Sequence, residues 1–211
     1  MSLTIKTKLI AGFSCLLVLL AIIAALSLNK LSGMNERING IVDVSAEKIK
    51  LAARINQGVL AISRAEKNIL LATTREEMDE YFEFIDQTQA EMDQRHADLE
   101  KLVDADGRSK LATFEKTWGD YQATSREVRD MARENGSASA FDLASGEGRK
   151  HNDAAMEQIA AIVDYNEAML ALDKAASDQS YAFARNTILG LTVFAILFAV
   201  GIVFYIVRDL C

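Results

Sequence analysis

The amino-acid sequence predicts an all-α fold, in which an antiparallel up-down-up-down four-helix bundle is continuous with two transmembrane helices. Three observations support this class. The 211 residues include no proline, the residue that most strongly interrupts helices. The alternating runs of β-branched and aromatic residues that are typical of strands are missing. Two uncharged apolar stretches stand near the two ends of the chain.

Both apolar stretches are long enough to cross a membrane. Residues 9–28 are 20 residues without a charge, and residues 187–207 are 21. About 20 apolar residues, each rising about 1.5 Å, span the ~30 Å hydrocarbon core of a bilayer. We therefore predict two transmembrane helices. Cleavage of the first as a signal peptide is the alternative, but the stretch exceeds a typical signal core and Ala25-Leu26-Ser27 is a poor cleavage site.

The charges beside the spans predict the topology. Lys6 and Lys8 lie in the short tail 1–8, and Arg208 follows the second span. Positive charge in short flanking segments marks the cytoplasmic side of a membrane. We therefore expect both chain ends in the cytoplasm and the segment 29–186 outside the membrane.

The segment 29–186 is acidic and carries no recognisable enzyme motif. It contains 20 of the 23 Lys and Arg residues but 29 of the 30 Asp and Glu residues, a net charge of −9. This charge argues against nucleic acid as a partner, which requires a basic patch. Both cysteines lie outside the segment, so no disulfide stabilises it. Because P-loops, dinucleotide turns, Cys-His clusters and nucleophile elbows are missing, we predict no catalytic residue and no cofactor.

Three breaks divide the outer segment into four helices. Thr74 begins a Thr-Arg-Glu-Glu capping box, which predicts a helix start. Turn-forming residues cluster at 104–107 and at 135–139, where Gly136 would stop one helix and Ser139 would cap the next. The predicted helices are 29–73, 75–103, 108–134 and 140–186.

Apolar residues recur in these helices at steps of three and four, the seam of a four-helix bundle. The second helix gives Met78, Phe82, Ile85, Gln89, Met92, His96, Leu99 and Val103, and the third gives Leu111, Phe114, Trp118, Tyr121, Ser125, Val128 and Ala132. The first and fourth helices follow the rule less strictly, with Val42, Ser45, Ile49, Ala52, Val59 and Ile62, and with Ile159, Val163 and Leu170. Small residues interrupt these two seams, which would allow close approach of neighbouring helices.

Each span is expected to form one continuous rod with its outer helix. The fourth helix has neither Pro nor a turn cluster at its junction with the second span. Ser32-Gly33 and Asn39-Gly40 are turn-type dipeptides that could bend the first helix, and Gly146 and Gly148 could loosen the start of the fourth. A helix that continues into a span can transmit a small displacement of its outer part across the membrane. This architecture is typical of a transmembrane signal transmitter.

The whole chain resembles the N-terminal half of a bacterial methyl-accepting chemotaxis receptor, of the four-helix-bundle sensor family. The order of tail, span, bundle and span supports the resemblance, with ISRAEKNILL (62–71) and Phe114, Trp118 and Tyr121 as local matches. The resemblance implies a homodimer in the bacterial inner membrane, with the bundle in the periplasm. It also implies a HAMP linker, which residues 208–211 would begin, and a cytoplasmic output half that this chain lacks.

The resemblance further implies a ligand site at the membrane-distal end of the bundle, often between two subunits, where arginine holds a carboxylate through two parallel hydrogen bonds. The ligand would be an amino acid or organic acid, or a periplasmic binding protein. The predicted binding residues are Arg64, Lys67, Asn68, Thr73, Arg75 and Arg149. The alternative is that these charges are solvated and form surface ion pairs with nearby glutamates, such as Glu66 and Glu77.

Other candidate side chains have simpler explanations. Trp118 and Tyr121 are expected in the core rather than around an aromatic pocket. His96 and His151 should lie too far apart along the bundle to share a metal ion, so no metal site is predicted. The function that the sequence favours is a chemoreceptor sensor module. The sensor region of a histidine kinase or diguanylate cyclase, and a helical membrane anchor that senses nothing, remain as alternatives.

Overall fold

The computed structural model describes residues 5–134 and 137–208, and within them every regular element is helical. The all-α prediction is therefore confirmed. The elements are α1 (Ile5–Gly40), a π-helical turn (Ile41–Ser45), α2 (Ala46–Leu71), α3 (Arg75–Leu102), α4 (Ala105–Arg133), α5 (Ser137–Leu143), a second π-helical turn (Ala144–Gly148) and α6 (Arg149–Arg208). They form two compact units, a bundle unit within residues 42–171 and a two-helix unit of α1 with the part of α6 after Ala171.

The bundle unit buries the apolar seams that the sequence predicts for α3 and α4. Every predicted seam residue of α4, from Leu111 to Ala132, is buried. In α3 the buried members are Phe82, Ile85, Met92 and Leu99, with Val103 just beyond the helix end. Burying a large apolar side chain stabilises the fold by about 1.5–3 kcal/mol. The four-helix bundle is thus held together by a single apolar core.

The seams of the other two helices agree only in part with the prediction. Of the first seam, Val42 is exposed and Ile49 is half-buried, and the four buried members are Ser45, Ala52, Val59 and Ile62. In α6 Ile159 is buried as predicted, whereas Val163 and Leu170 are only partly buried. Within the bundle unit the buried positions of α6 are Asn152, Ala155, Ile159, Ile162 and Asn166. The two asparagines were missed because the prediction considered apolar residues alone.

The capping box at the start of α3 is confirmed. The Thr74 hydroxyl accepts a hydrogen bond from the Glu77 backbone N–H at 3.2 Å. The Glu77 carboxylate in turn accepts one from the Thr73 backbone N–H at 2.9 Å. This backbone hydrogen bond is the main reason that the pKa of Glu77 lies below its usual value. The pair of bonds satisfies N–H groups that a helix start leaves without partners.

The first turn of α4 begins earlier than predicted. The carboxylate of Asp104 accepts a hydrogen bond from the Gly107 backbone N–H at 2.8 Å, so that Asp104 is the N-cap and Ala105 the first helical residue. The cluster 104–107 is therefore a capped helix start and not a loop that delays the helix to residue 108. Aspartate is among the preferred N-cap residues, which explains the earlier start.

The fourth predicted helix also begins differently. Ser139 lies inside α5 and is not an N-cap. The stop signal at Gly136, with Asn135, lies outside the described residues. Gly146 and Gly148 both fall in the second π-helical turn, in agreement with a loosened helix start. A Cβ atom at Gly148 would lie 3.3 Å from the Leu143 carbonyl oxygen, so the turn is tightly closed at this glycine.

The two-helix unit has the properties of membrane spans. Each of its two helices contains an apolar stretch that is long enough to cross a membrane. Most large apolar side chains in these stretches are exposed. The helices approach closely at Gly12, where a Cβ atom would lie 2.9 Å from Ile202 Cγ2. The hydroxyls of Ser27 and Thr192 donate to carbonyls four residues earlier, each at 2.8 Å, so that these polar groups are satisfied without water.

The predicted continuity is present at both ends of the chain. α6 runs from Arg149 to Arg208 as one helix of 60 residues, which confirms the expectation for the fourth helix. Ser32-Gly33 lies within α1 and does not end it. Asn39-Gly40 lies at the end of α1, where the first π-helical turn joins α1 to α2 within one helical run, Leu9–Leu71, so the first rod is also continuous. Such turns accommodate an extra residue within a helix and mark local irregularity.

Candidate functional site

A cleft in the bundle unit lies where α2 ends and α6 begins. Its volume is about 560 Å³, and α2, α4, α5, the second π-helical turn and α6 all contribute side chains. The apolar walls are Leu60, Leu70, Phe141 and Met156, and the polar residues include Ser63, Glu66, Tyr121 and Asn152. Apolar walls with a few polar groups are typical of small-molecule sites.

Glu66 is a buried charged residue among those that line this cleft. Its side chain belongs to α2 and is 5% exposed. One carboxylate oxygen, Oε2, accepts a hydrogen bond from the Tyr121 hydroxyl at 2.9 Å. The other, Oε1, is buried and has no hydrogen-bond partner among the described residues. A buried acceptor without a partner is unfavourable, which makes Glu66 an unusual residue for a bundle core.

Tyr121 fixes the position of the Glu66 carboxylate. The tyrosine belongs to α4 and is 1% exposed. Burial, followed by the negative charge of Glu66, raises the pKa of Tyr121 far above its usual value. The hydroxyl therefore keeps its proton and acts as a donor to Glu66 at every physiological pH.

Asn152 supplies a second acceptor to the same cleft. It belongs to α6, and only 8% of it is exposed. Its Nδ2 donates to the sulfur of Met156 at 3.6 Å. Its Oδ1 is buried and lacks a hydrogen-bond partner within the described part of the chain. Two of the residues that line the cleft, Glu66 of α2 and Asn152 of α6, thus each have a buried oxygen without a hydrogen-bond partner among the described residues.

The rim of the cleft is cationic. Arg64 and Lys67, on one face of α2, are exposed, as is Arg149 at the start of α6. The Arg149 guanidinium lies 3.7 Å from the Asp153 carboxylate, which also lines the cleft. Arg64 and Lys67 leave excess positive charge at the opening, an arrangement that attracts a carboxylate.

The structure brings together half of the six predicted binding residues. Arg64, Lys67 and Arg149 line the cleft, whereas Asn68 is exposed and does not. The hydroxyl and backbone N–H of Thr73 donate to Glu77 as part of the capping of α3. Arg75 donates to the Arg133 carbonyl at 3.4 Å, at the end of α4. For the three cleft residues, ligand binding remains a prediction.

Glu66 and Asn152, the buried polar residues of the site, were not predicted from the sequence, although their spacing in the sequence places both at core positions. Glu66 continues the seam of Val59 and Ile62, at the same steps of four and three, and Ile69 follows it. A carboxylate at a core position is unusual, because burial of a charge is unfavourable unless the charge is paired. Asn152 lies on the seam of Ala155 and Ile159 in the same way. Glu66 and Asn152 are therefore two polar residues at seam positions that line this cleft.

The aromatic residues of α4 lie in the core, as predicted. Trp118 stacks on Phe114 with ring centroids 6.2 Å apart, and its ring lies 5.1 Å from that of Tyr121. Trp118 also borders a smaller cavity of about 290 Å³, lined on the outside by Gln89 and Arg129. His151 contacts the Thr124 hydroxyl through Nδ1 at 3.0 Å. In the described residues, no group of three or more metal-ligating side chains comes together.

The comparisons with known proteins agree with this architecture. A search of curated proteins gives no match to the chain. The model of one family, described as a four helix bundle sensory module for signal transduction, matches residues 2–181. The match covers most of the chain and includes the first apolar stretch, the whole cleft and the bundle core. The chain therefore belongs to the family of four-helix bundle sensory modules for signal transduction.

Proposed function

We propose that this chain is the sensor module of a transmembrane chemoreceptor, which detects a small periplasmic solute and transmits the signal to a cytoplasmic output domain. The observation that supports the proposal best is the course of α6. This helix lines the cleft with Arg149, Asn152 and Met156 and continues without a break to Arg208, through the apolar stretch 187–207. A solute in the cleft would contact the same helix that reaches the second span.

The proposed mechanism is a shift of α6 relative to α2. The cleft is built from both helices, so a solute that contacts both favours one of their packed arrangements over another. A difference in binding free energy of about 1–3 kcal/mol between two arrangements is enough for an allosteric response. Small translations of packed helices are an established form of such a response.

The proposed topology places the bundle in the periplasm and both chain ends in the cytoplasm of a bacterial inner membrane. The cationic flanks at Lys6 and Arg208 and the acidic segment between the spans support this arrangement. We further propose that the protein is a homodimer, as in the receptors that it resembles. The solute would bind directly or be delivered by a periplasmic binding protein.

Calorimetric titration tests direct sensing. The full chain, reconstituted in lipid nanodiscs, should bind at least one member of a panel of amino acids and organic acids. Arg64→Gln and Lys67→Gln should each weaken that binding about tenfold or more, because each removes a charge-assisted hydrogen bond. Arg75→Gln is the matched control, since Arg75 lies outside the cleft, and it should leave the affinity unchanged. Failure of every solute and every binding protein to bind would favour the membrane anchor.

The gene sequence beyond codon 211 tests the proposed output. A HAMP linker followed by a methyl-accepting hairpin would support the chemoreceptor. A histidine kinase or diguanylate cyclase domain at that place would instead assign the same sensor module to another class of output.

A further inference from the structure

We propose that a cavity between α1 and α6, beside the two apolar stretches, binds an anionic phospholipid whose phosphate lies between Lys30 and Arg37. The cavity has a volume of about 480 Å³, and all the residues that line it belong to the two-helix unit. This inference rests on the proposed membrane insertion. It does not rest on solute sensing, because the cavity shares no residue with the cleft of the bundle.

The first step is the level of the cavity relative to the membrane. It is lined by residues within 29–37 of α1, directly after the first apolar stretch, and within 179–184 of α6, shortly before the second. At ~1.5 Å per residue, Lys30 lies about 3 Å and Arg37 about 14 Å beyond the first stretch. The headgroup layer extends about 5–8 Å beyond the hydrocarbon core on each side. Lipid phosphates therefore lie at a level between the two cations.

The direction of the side chains agrees with this level. Side chains lean toward the N-terminal end of their helix, which for this part of α1 is the membrane side. The long side chain of Arg37 therefore leans back toward the headgroups. Lysine keeps its ammonium in the polar layer while its stem lies along apolar surface, so Lys30 reaches the same layer from the edge of the hydrocarbon.

The second step is charge. Of the described residues that line the cavity, Lys30 and Arg37 are the only charged ones, although the segment 29–186 is acidic as a whole. Both side chains are exposed, and neither forms an ion pair within the described part of the chain. Arginine donates two parallel hydrogen bonds to a phosphate, and lysine binds a phosphate as a point charge. Accessible cations without acidic partners favour an anionic group at this place.

The third step is the apolar surface next to these cations. Phe183 is exposed, and Lys30 Nζ lies 5.7 Å from the centre of its ring. At Gly33 nothing lies within 4 Å of an added Cβ atom, so the wall of the cavity is open there. Exposed apolar side chains such as Leu28 and Leu189 continue from this level into the two stretches. This surface suits the acyl chains of a lipid, which a soluble anion lacks.

A neighbouring cation provides a matched control. Arg185 of α6 is exposed and lies at a similar level, with its guanidinium 5.9 Å from the centre of the Tyr181 ring, but it does not line the cavity. Tyrosine is enriched at membrane–water interfaces, which agrees with the level assigned to this part of α6. Arg185 therefore separates binding in the cavity from general attraction between cations and anionic lipids.

Native mass spectrometry tests the lipid. The full chain is released from nanodiscs that contain equal amounts of anionic phosphatidylglycerol and zwitterionic phosphatidylethanolamine with the same acyl chains. Phosphatidylglycerol should be retained about fivefold or more over phosphatidylethanolamine, the factor that one cation at a membrane surface provides. Equal retention, or no retained lipid, overturns the proposal.

Two further outcomes separate the alternatives. Glycerol phosphate carries the same phosphate without acyl chains, and it should not displace the retained lipid. Displacement would show a site for soluble anions and overturn the lipid assignment. A chain that does not insert into nanodiscs would contradict the proposed spans together with the lipid site, whereas an inserted chain without lipid selectivity leaves the sensing function intact.

Variants locate the site. Lys30→Gln and Arg37→Gln should each lower the retention of phosphatidylglycerol about fivefold, because each removes one of the two cations. Arg185→Gln should retain the lipid as the unmodified chain does. No effect of the two cavity variants, or an equal effect of all three, would overturn the site. All three residues are exposed, and circular dichroism verifies that each variant keeps its helical content.

Discussion

The Tyr121 hydroxyl in α4 donates a 2.9 Å hydrogen bond to the Glu66 carboxylate in α2, although the two residues are 55 positions apart in the chain. Both side chains are almost completely buried. The bond joins two helices of the core, and the second carboxylate oxygen is buried without a hydrogen-bond partner among the described residues. Because both residues also line the cleft, the stability of the core and the shape of the cleft depend on the same pair.

Tyr121→Phe should destabilise the bundle. The substitution removes the only described hydrogen bond to Glu66 and leaves a buried carboxylate without a donor. We expect the free energy of unfolding to fall by about 1–3 kcal/mol. Denaturant titration of the full chain, followed by circular dichroism, measures the change.

Tyr165→Phe is the matched control, because Tyr165 also donates to a carboxylate, that of Asp104, at 2.8 Å, but at an exposed position. The loss of stability should be clearly smaller than for Tyr121→Phe, since water replaces the lost donor. Equal losses in the two variants would contradict the view that burial makes the Tyr121 bond important.

Asp104→Asn should reduce the sensitivity of the fold to acid. The backbone N–H of Gly107, followed by the Tyr165 hydroxyl, holds the pKa of Asp104 below its ordinary value in the folded chain. A carboxylate with a lowered folded-state pKa stabilises the fold above its unfolded-state pKa, and this contribution disappears as the pH falls through the folded-state value. Asparagine also caps helices but does not titrate.

Melting temperatures measured from pH 7 to about pH 2 test this expectation. Near neutral pH the variant should be the less stable of the two, because it lacks the charge-dependent contribution of Asp104, and the two curves should converge as the pH falls. Between about pH 4 and pH 2 the variant should lose less stability than the unmodified chain. Parallel curves over this range would show that the Asp104 carboxylate makes no charge-dependent contribution.

Gly58→Ala and Gly119→Ala should have opposite effects on stability. A Cβ atom at Gly58 would lie 2.5 Å from Cγ and Sδ of the buried Met92, so α2 and α3 would have to move or repack. We expect a net destabilisation of about 1–3 kcal/mol from overpacking. At Gly119 in α4 nothing lies within 4 Å of the new atom, and the higher helix propensity of alanine should stabilise by about 0.5–1 kcal/mol. Thermal unfolding of both variants measures whether each substitution stabilises or destabilises the bundle.

Cysteine labelling in spheroplasts should report the proposed topology. In a Cys15→Ser background, a membrane-impermeant maleimide should label Glu127→Cys in the bundle of intact spheroplasts. Cys211 should react only after the membrane is permeabilised, because the positive flanks predict that the chain ends lie in the cytoplasm. Labelling of Cys211 in intact spheroplasts would contradict this orientation.

The sequence by itself determined the helical class, the two apolar stretches and the core faces of α3 and α4. These properties follow from local rules: the absence of proline, the length of uncharged segments, and apolar residues at steps of three and four. The start of α3 was predictable for the same reason, since Thr74 and Glu77 cap the helix within a single turn.

Only the tertiary structure decided which residues share the cleft. Thr73 and Arg75 lie close in sequence to Arg64 and Lys67, yet they are bonded to Glu77 and Arg133 at the helix ends. Glu66 and Asn152 come from helices distant in the chain, and their joint burial depends on how α2, α4 and α6 pack. Helix periodicity sets the face on which a residue lies, whereas the residue that it meets there is set by long-range packing.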